Sequence, residues 1–84
     1  MQGTIYKINK QKGLFAVNTE QGFSIFELIP DGNIEEGDIV KWHEDNPPEP
    51  IQIINITKDE TFEVYVLNHW VHKSQLTQQL LLDI

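Results

Sequence analysis

The sequence predicts a mainly β domain: a small five-stranded barrel followed by a C-terminal strand and helix. Three observations carry this expectation. Residues 3–28 contain three runs rich in β-branched and aromatic residues, separated by two polar turns that each end in glycine. Two further alternating runs follow before residue 58, each set off by Gly, Pro, Asn or Asp. Finally, 84 residues support one small core, and a sheet closed on itself removes the exposed edges such a core could not protect.

The first run is Thr4-Ile5-Tyr6-Lys7-Ile8, and its turn is Asn9-Lys10-Gln11-Lys12-Gly13. Alternation puts Ile5 and Lys7 on one side and Tyr6 and Ile8 on the other. The second run, Leu14-Phe15-Ala16-Val17, places Phe15 and Val17 opposite Leu14 and Ala16, and turns back through Asn18-Thr19-Glu20-Gln21-Gly22. The third run, residues 23–28, sets Ser24, Phe26 and Leu28 against Phe23, Ile25 and Glu27. Neither face of this meander is cleanly polar, so a curved sheet whose outer face is partly covered or used for binding is expected.

Ile29-Pro30-Asp31-Gly32-Asn33 is a turn, and a Gly37-Asp38 corner opens a fourth strand over Ile39-Val40-Lys41-Trp42. Three prolines and three acids make residues 43–50 an exposed loop. Residues 51–57 alternate as a fifth strand, which would close the barrel; Trp42 is expected to cap its core. Five short strands with a long third-to-fourth connection suit an OB-type barrel over residues 1–57. Residues 58–84 form the extension: a polar link, then residues 61–67, which read as a strand by the alternation of Phe62, Val64 and Val66 or as the start of a helix. β-Branched and aromatic enrichment favours the strand, and an ambiguous stretch follows over residues 68–73. A short helix follows, with Ser74 as its N-cap. Its stripe of Leu76 and Leu80, widened by Leu81 or Leu82, is expected to dock on the barrel or to meet a partner.

Residues 1–57 also resemble a cold-shock domain. The resemblance rests on Gly3-Thr4-Ile5 at the start, Asn9, Lys12-Gly13 heading strand two, Phe26-Glu27-Leu28 ending strand three, and Glu36-Gly37-Asp38-Ile39-Val40. It implies an OB-type barrel that binds single-stranded RNA or DNA on rings carried by strands two and three. Those rings are replaced here. The outward positions after Lys12-Gly13 are Leu14 and Ala16, with Phe15 where a glycine is usual. The strand-one aromatic falls on Lys7, and the strand-three aromatic and histidine fall on Ile25 and Glu27. Each base stacked on an aromatic contributes roughly 1–3 kcal/mol, so the resemblance carries the fold over and removes most of the stacking platform.

Charge is uneven along the chain. Six lysines, no arginine and thirteen acids give a net −7, yet Lys7, Lys10 and Lys12 precede the first acid, Glu20. A polyanion would be repelled by the molecule as a whole and attracted only by the first hairpin. Cysteine is absent, which fits a reducing cytoplasm. No secretion signal is expected from Met1-Gln2-Gly3-Thr4, and apolar runs of a few residues predict no membrane span. His69 and His72 have a helical zinc spacing, but no third ligand joins them, and the acids lack a calcium-loop pattern. No nucleotide-phosphate loop or catalytic constellation is present, since Gly13 and Gly22 belong to turns. The chain is expected to need no cofactor or metal and to act by binding, not as an enzyme.

Two binding readings remain. In the first, single-stranded RNA or DNA is held weakly through Lys7, Asn9, Lys10 and Lys12, with Tyr6 and Phe23 as surviving rings. In the second, the old face of Leu14, Ala16 and Ile25, with Trp70 and Leu80, meets a protein or is covered by the tail, and the chain is a monomer or a dimer through that tail. An apolar face buried by residues 62–82 would favour the second reading; an exposed phenylalanine strip beside lysines would favour the first.

Overall fold

In the computed structural model, which describes residues 1–29, 32–43 and 50–82, six strands form a closed antiparallel barrel. They are β1 (Gln2–Asn9), β2 (Leu14–Thr19), β3 (Gly22–Leu28), β4 (Ile39–Lys41), β5 (Ile51–Asn55) and β6 (Glu60–Val71). Their order around the barrel is β1-β2-β3-β6-β5-β4, with β4 returning to β1. The expected count of five is therefore corrected to six. β5 does not close the barrel onto β3: β6 lies between them, pairing with β5 through residues 60–64 and with β3 through residues 64–71. The strand assigned to the extension is one of the barrel's own staves.

The faces assigned to β2 and β3 by alternation are those observed. Phe15, Val17 and Phe26 enter the barrel core, while Leu14, Ala16, Phe23 and Ile25 point outward. In β1 the alternation breaks. A bulge lies between Ile5 and Lys7, so one residue is left out of the pairing and the side chains beyond it swap faces. Ile5 and Ile8 both pack on the barrel core, and Tyr6 and Lys7 both face solvent. Trp42 is buried as expected, with its ring edge-on to Phe26 at 4.9 Å.

β6 has its own irregularities, with register shifts against β3 on either side of Ile25. Trp70 sits there at φ 57°, in the left-handed region. Gly22 packs closely against it: a Cβ at that position would stand 3.1 Å from the Trp70 Cα and 3.2 Å from its carbonyl carbon.

Beyond β6 the chain forms a 3-10 turn, Lys73–Gln75, and one turn of helix, α1 (Leu76–Gln79). The helix is shorter than expected and Ser74 does not cap it; Ser74 lies inside the 3-10 turn, and no side chain bonds either N-terminus. The leucine stripe behaves as expected. Leu76 and Leu80 are buried, Leu82 widens the stripe, and Leu81 faces solvent.

A polar clamp fixes the entry to β4. The buried Asp38 carboxylate accepts from the Glu35 backbone N–H at 2.9 Å and from Asn55 Nδ2 at 2.8 Å. Lys58 Nζ stands 3.7 Å from the same oxygen and 3.1 Å from Glu35. Among the described residues every buried side-chain polar atom has a partner, as interiors require. The expected proline-rich loop falls largely on residues 44–49, and the centre of the Pro-Asp-Gly turn on residues 30 and 31, outside the described residues.

Candidate nucleic-acid interface

The outer face of β2 and β3 is where the two binding readings diverge, and the tail occupies it. Leu76 and Leu80 pack with Leu14, Ala16, Phe23, Ile25 and Val71 in a second apolar cluster outside the barrel. Ala16, Ile25 and Leu80 have no exposed surface, and Leu14 and Phe23 keep only a few per cent. Of the residues expected as a partner interface, Leu14, Ala16, Ile25 and Leu80 are therefore interior. Trp70 alone of that set is exposed, at 47%. Its ring lies 5.0 Å from that of His69, which shares a 2.8 Å hydrogen bond with Ser24 Oγ.

Asn9 is also turned inward. Its Nδ2 donates to the backbone oxygens of Leu80 at 2.8 Å and Leu81 at 3.4 Å, and its Oδ1 accepts from the Lys12 N–H at 3.4 Å. The side chain expected to meet a ligand thus ties the first hairpin's turn to the end of the tail. The nearly buried Asn9 caps carbonyls that the short helix leaves open.

What remains on the surface is a rim. The β1 bulge presents Tyr6, 40% exposed, with its ring edge-on to buried Phe23 at 5.2 Å. Lys73, at the start of the tail, places Nζ 5.4 Å from the centre of the Tyr6 ring, within cation–π range. Lys7 follows Tyr6 outward, in register with Ala16, and Lys10 and Lys12 stand exposed on the turn beyond. Among the described residues none of these four lysines is in an ion pair; the pairs belong to Lys58, whose pKa is raised chiefly by its hydrogen bond to Glu35. Beside the turn, Lys10 and Lys12 line a groove of about 510 Å³ with Gln11 and Asn33.

Of the residues expected to bind nucleic acid, Lys7, Lys10, Lys12 and Tyr6 are exposed along one hairpin, whereas Asn9 and Phe23 support them from below. Lys73 escaped the sequence reading. It lies 67 positions from Tyr6, and its only signal was a positive charge at the head of the tail.

Among the described residues no three His, Cys, Asp or Glu side chains converge on a metal-sized site. His69 and His72 share no helix: His69 belongs to β6, and His72 precedes the 3-10 turn. No helix there is long and apolar enough to cross a membrane. Comparisons with protein-family models, with curated proteins and with solved structures gave no match.

Proposed function

We propose that the chain is a non-catalytic module that binds single-stranded RNA or DNA weakly, with little sequence preference, along the first hairpin. The observation that carries this reading is the cluster of Lys7, Lys10, Lys12 and Lys73 beside exposed Tyr6, with no carboxylate bound to any of them among the described residues. Unpaired lysines spaced along a strand and turn suit a run of phosphates. One exposed ring offers about one stacking contact, roughly 1–3 kcal/mol. If all four lysines engage phosphates, the logarithm of the affinity should fall with that of salt at a slope of about −3. Backbone charge would carry most of the affinity, in keeping with dissociation constants in the range of about 10⁻⁴–10⁻⁶ M for non-specific binding.

Fluorescence anisotropy with short labelled single strands tests this. Binding should weaken steeply with salt, and Lys7/Lys10/Lys12→Glu should abolish it. Lys73→Gln alone should weaken it about two- to fivefold, by removing one of the four charges. No binding at low salt would refute the proposal.

The covered β2–β3 face favours a second reading, a protein-interaction module that has given up nucleic acid. Its apolar side chains are already satisfied by Leu76 and Leu80, so a protein partner would be met elsewhere. A chain that binds no single strand at low salt but retains a protein partner would support it.

A further inference from the structure

The side of the barrel opposite the tail carries an apolar strip that the nucleic-acid reading does not use. Ile39 of β4 and Ile56 just beyond β5 are joined across the strands, Ile56 N–H donating to the Ile39 carbonyl at 2.8 Å. One pair along, Ile54 faces Lys41. The three isoleucines point outward and are 39%, 44% and 37% exposed, respectively. Isolated exposed aliphatics need no explanation, but three β-branched side chains in adjoining positions of one sheet face form a patch. The strip runs into a groove of about 490 Å³ walled by Ile54, Lys41, Met1, Trp42 and Gln52.

The charged groups around the strip give the partner's chemistry. Gln52 pairs with Glu63 and Ile54 with Thr61, so Glu63 stands diagonal to Ile54 on the same face, within side-chain reach. Glu36 lies in the turn before Ile39, and Asp59 in the turn after Ile56. Against these three exposed acids stands Lys41; Lys58 is held by Glu35 and Asp38.

We infer that the outer face of β4 and β5 is a docking surface for a cationic, amphipathic peptide segment: apolar side chains on Ile39, Ile54 and Ile56, and lysines or arginines toward Glu36, Asp59 and Glu63. A second copy of this chain is disfavoured there, because it would set the same carboxylates against each other in a molecule already at −7. The inference stands independently of nucleic-acid binding, which is assigned to none of these side chains.

The test is a labelled synthetic peptide with leucines on one face and lysines on the other, titrated against the full chain beside its leucine–glutamate counterpart. The lysine peptide should bind, the glutamate peptide should not, and backbone amide shifts should move in β4 and β5. Ile39/Ile54/Ile56→Thr keeps strand-forming side chains at exposed positions and should weaken binding about tenfold or more. Glu63→Gln should weaken it about two- to threefold, and Lys7/Lys10/Lys12→Glu should leave it at or above its starting value. Unchanged binding by a folded triple-threonine variant would overturn the inference, as would equal binding of the two peptides or shifts confined to the Tyr6 hairpin. Thermal unfolding of the variants establishes that each is folded.

Discussion

Leu80→Ala tests whether the tail is a separable cover on a complete barrel. Leu80 is fully buried in a cluster outside the barrel core, among Leu14, Ala16 and Ile25. Truncating a buried leucine costs about 2–5 kcal/mol, part of it for the cavity left behind. Here the cost should fall locally. The tail is joined to the barrel through this cluster and the Asn9 amide, whereas the barrel's own strands are paired around the full circle. A segment attached this way opens at less than the global free energy. Native-state hydrogen exchange reads the difference directly. The amides of residues 80 and 82, bonded to the Leu76 and Thr77 carbonyls, should exchange about thirtyfold faster or more for a loss of about 2 kcal/mol. The amides of Phe15 and Phe26, inside β2 and β3, should keep most of their protection, and a dye that reports exposed apolar surface should bind the variant. Equal loss of protection in tail and barrel would refute a separable tail. No acceleration at residues 80 and 82 would refute the docking.

Further outcomes follow from the same contacts. Asn9→Asp keeps the shape but loses the donor to the Leu80 carbonyl; it should cost about 1–3 kcal/mol in tail protection, seen in the same exchange measurement. Asp38→Ala strands the Glu35 N–H and Asn55 Nδ2 and should lower global stability by about 2–3 kcal/mol in urea unfolding. Gly3→Ala would put a methyl 2.6 Å from Val17 Cγ1 and closer still to the Asn18 carbonyl oxygen, with an expected loss of about 1–3 kcal/mol in the same assay. Because its contacts raise the Lys58 pKa, they stabilise the fold in full below the lysine's ordinary 10.5 and lose that contribution as pH rises through the folded-state value. Lys58→Met should therefore unfold more readily than the parent at neutral pH, with the gap closing only in strong alkali.

The parts of this fold that could be read from the sequence are those governed by local periodicity. β2 and β3 alternate without interruption, so their inward and outward side chains were assigned from sequence. The β1 bulge breaks that parity, and no residue type there announces it, since Tyr6 suits a paired strand as well as a bulged one. β6 was legible where Phe62, Val64 and Val66 alternate. It became ambiguous across residues 68–71, where Trp70 takes a left-handed backbone that only pairing with β3 and the close approach of Gly22 explain. The count of strands went astray for a related reason: residues 51–57 have the pattern of a closing strand, and pattern does not say which neighbour a strand will choose. The candidate site divides in the same way. Lys7, Lys10 and Lys12 are close in sequence and close in space, whereas the Tyr6–Lys73 contact and the Asn9–Leu80 bond span most of the chain.

The apolar outer face of β2 and β3 and the tail docked on it have one physical cause. Stacking rings on an open sheet face must stay exposed to be useful, and exposed apolar surface on so small a domain invites association. Leu14, Ala16 and Ile25 could not serve bases well, but they fit a leucine stripe, and burying them against Leu76 and Leu80 adds a second core to a barrel of limited size. The same docking carries Lys73 to Tyr6, so the segment that closes the centre of the face adds positive charge at its edge. A polyanion bound as proposed would meet the β1–β2 hairpin and Lys73 at the edge of this face, because its middle is covered by the tail. Among the described residues the lysine rim and the acid-bordered isoleucine strip are open surfaces of opposite character, and each can be removed by substitutions that leave the other's side chains in place.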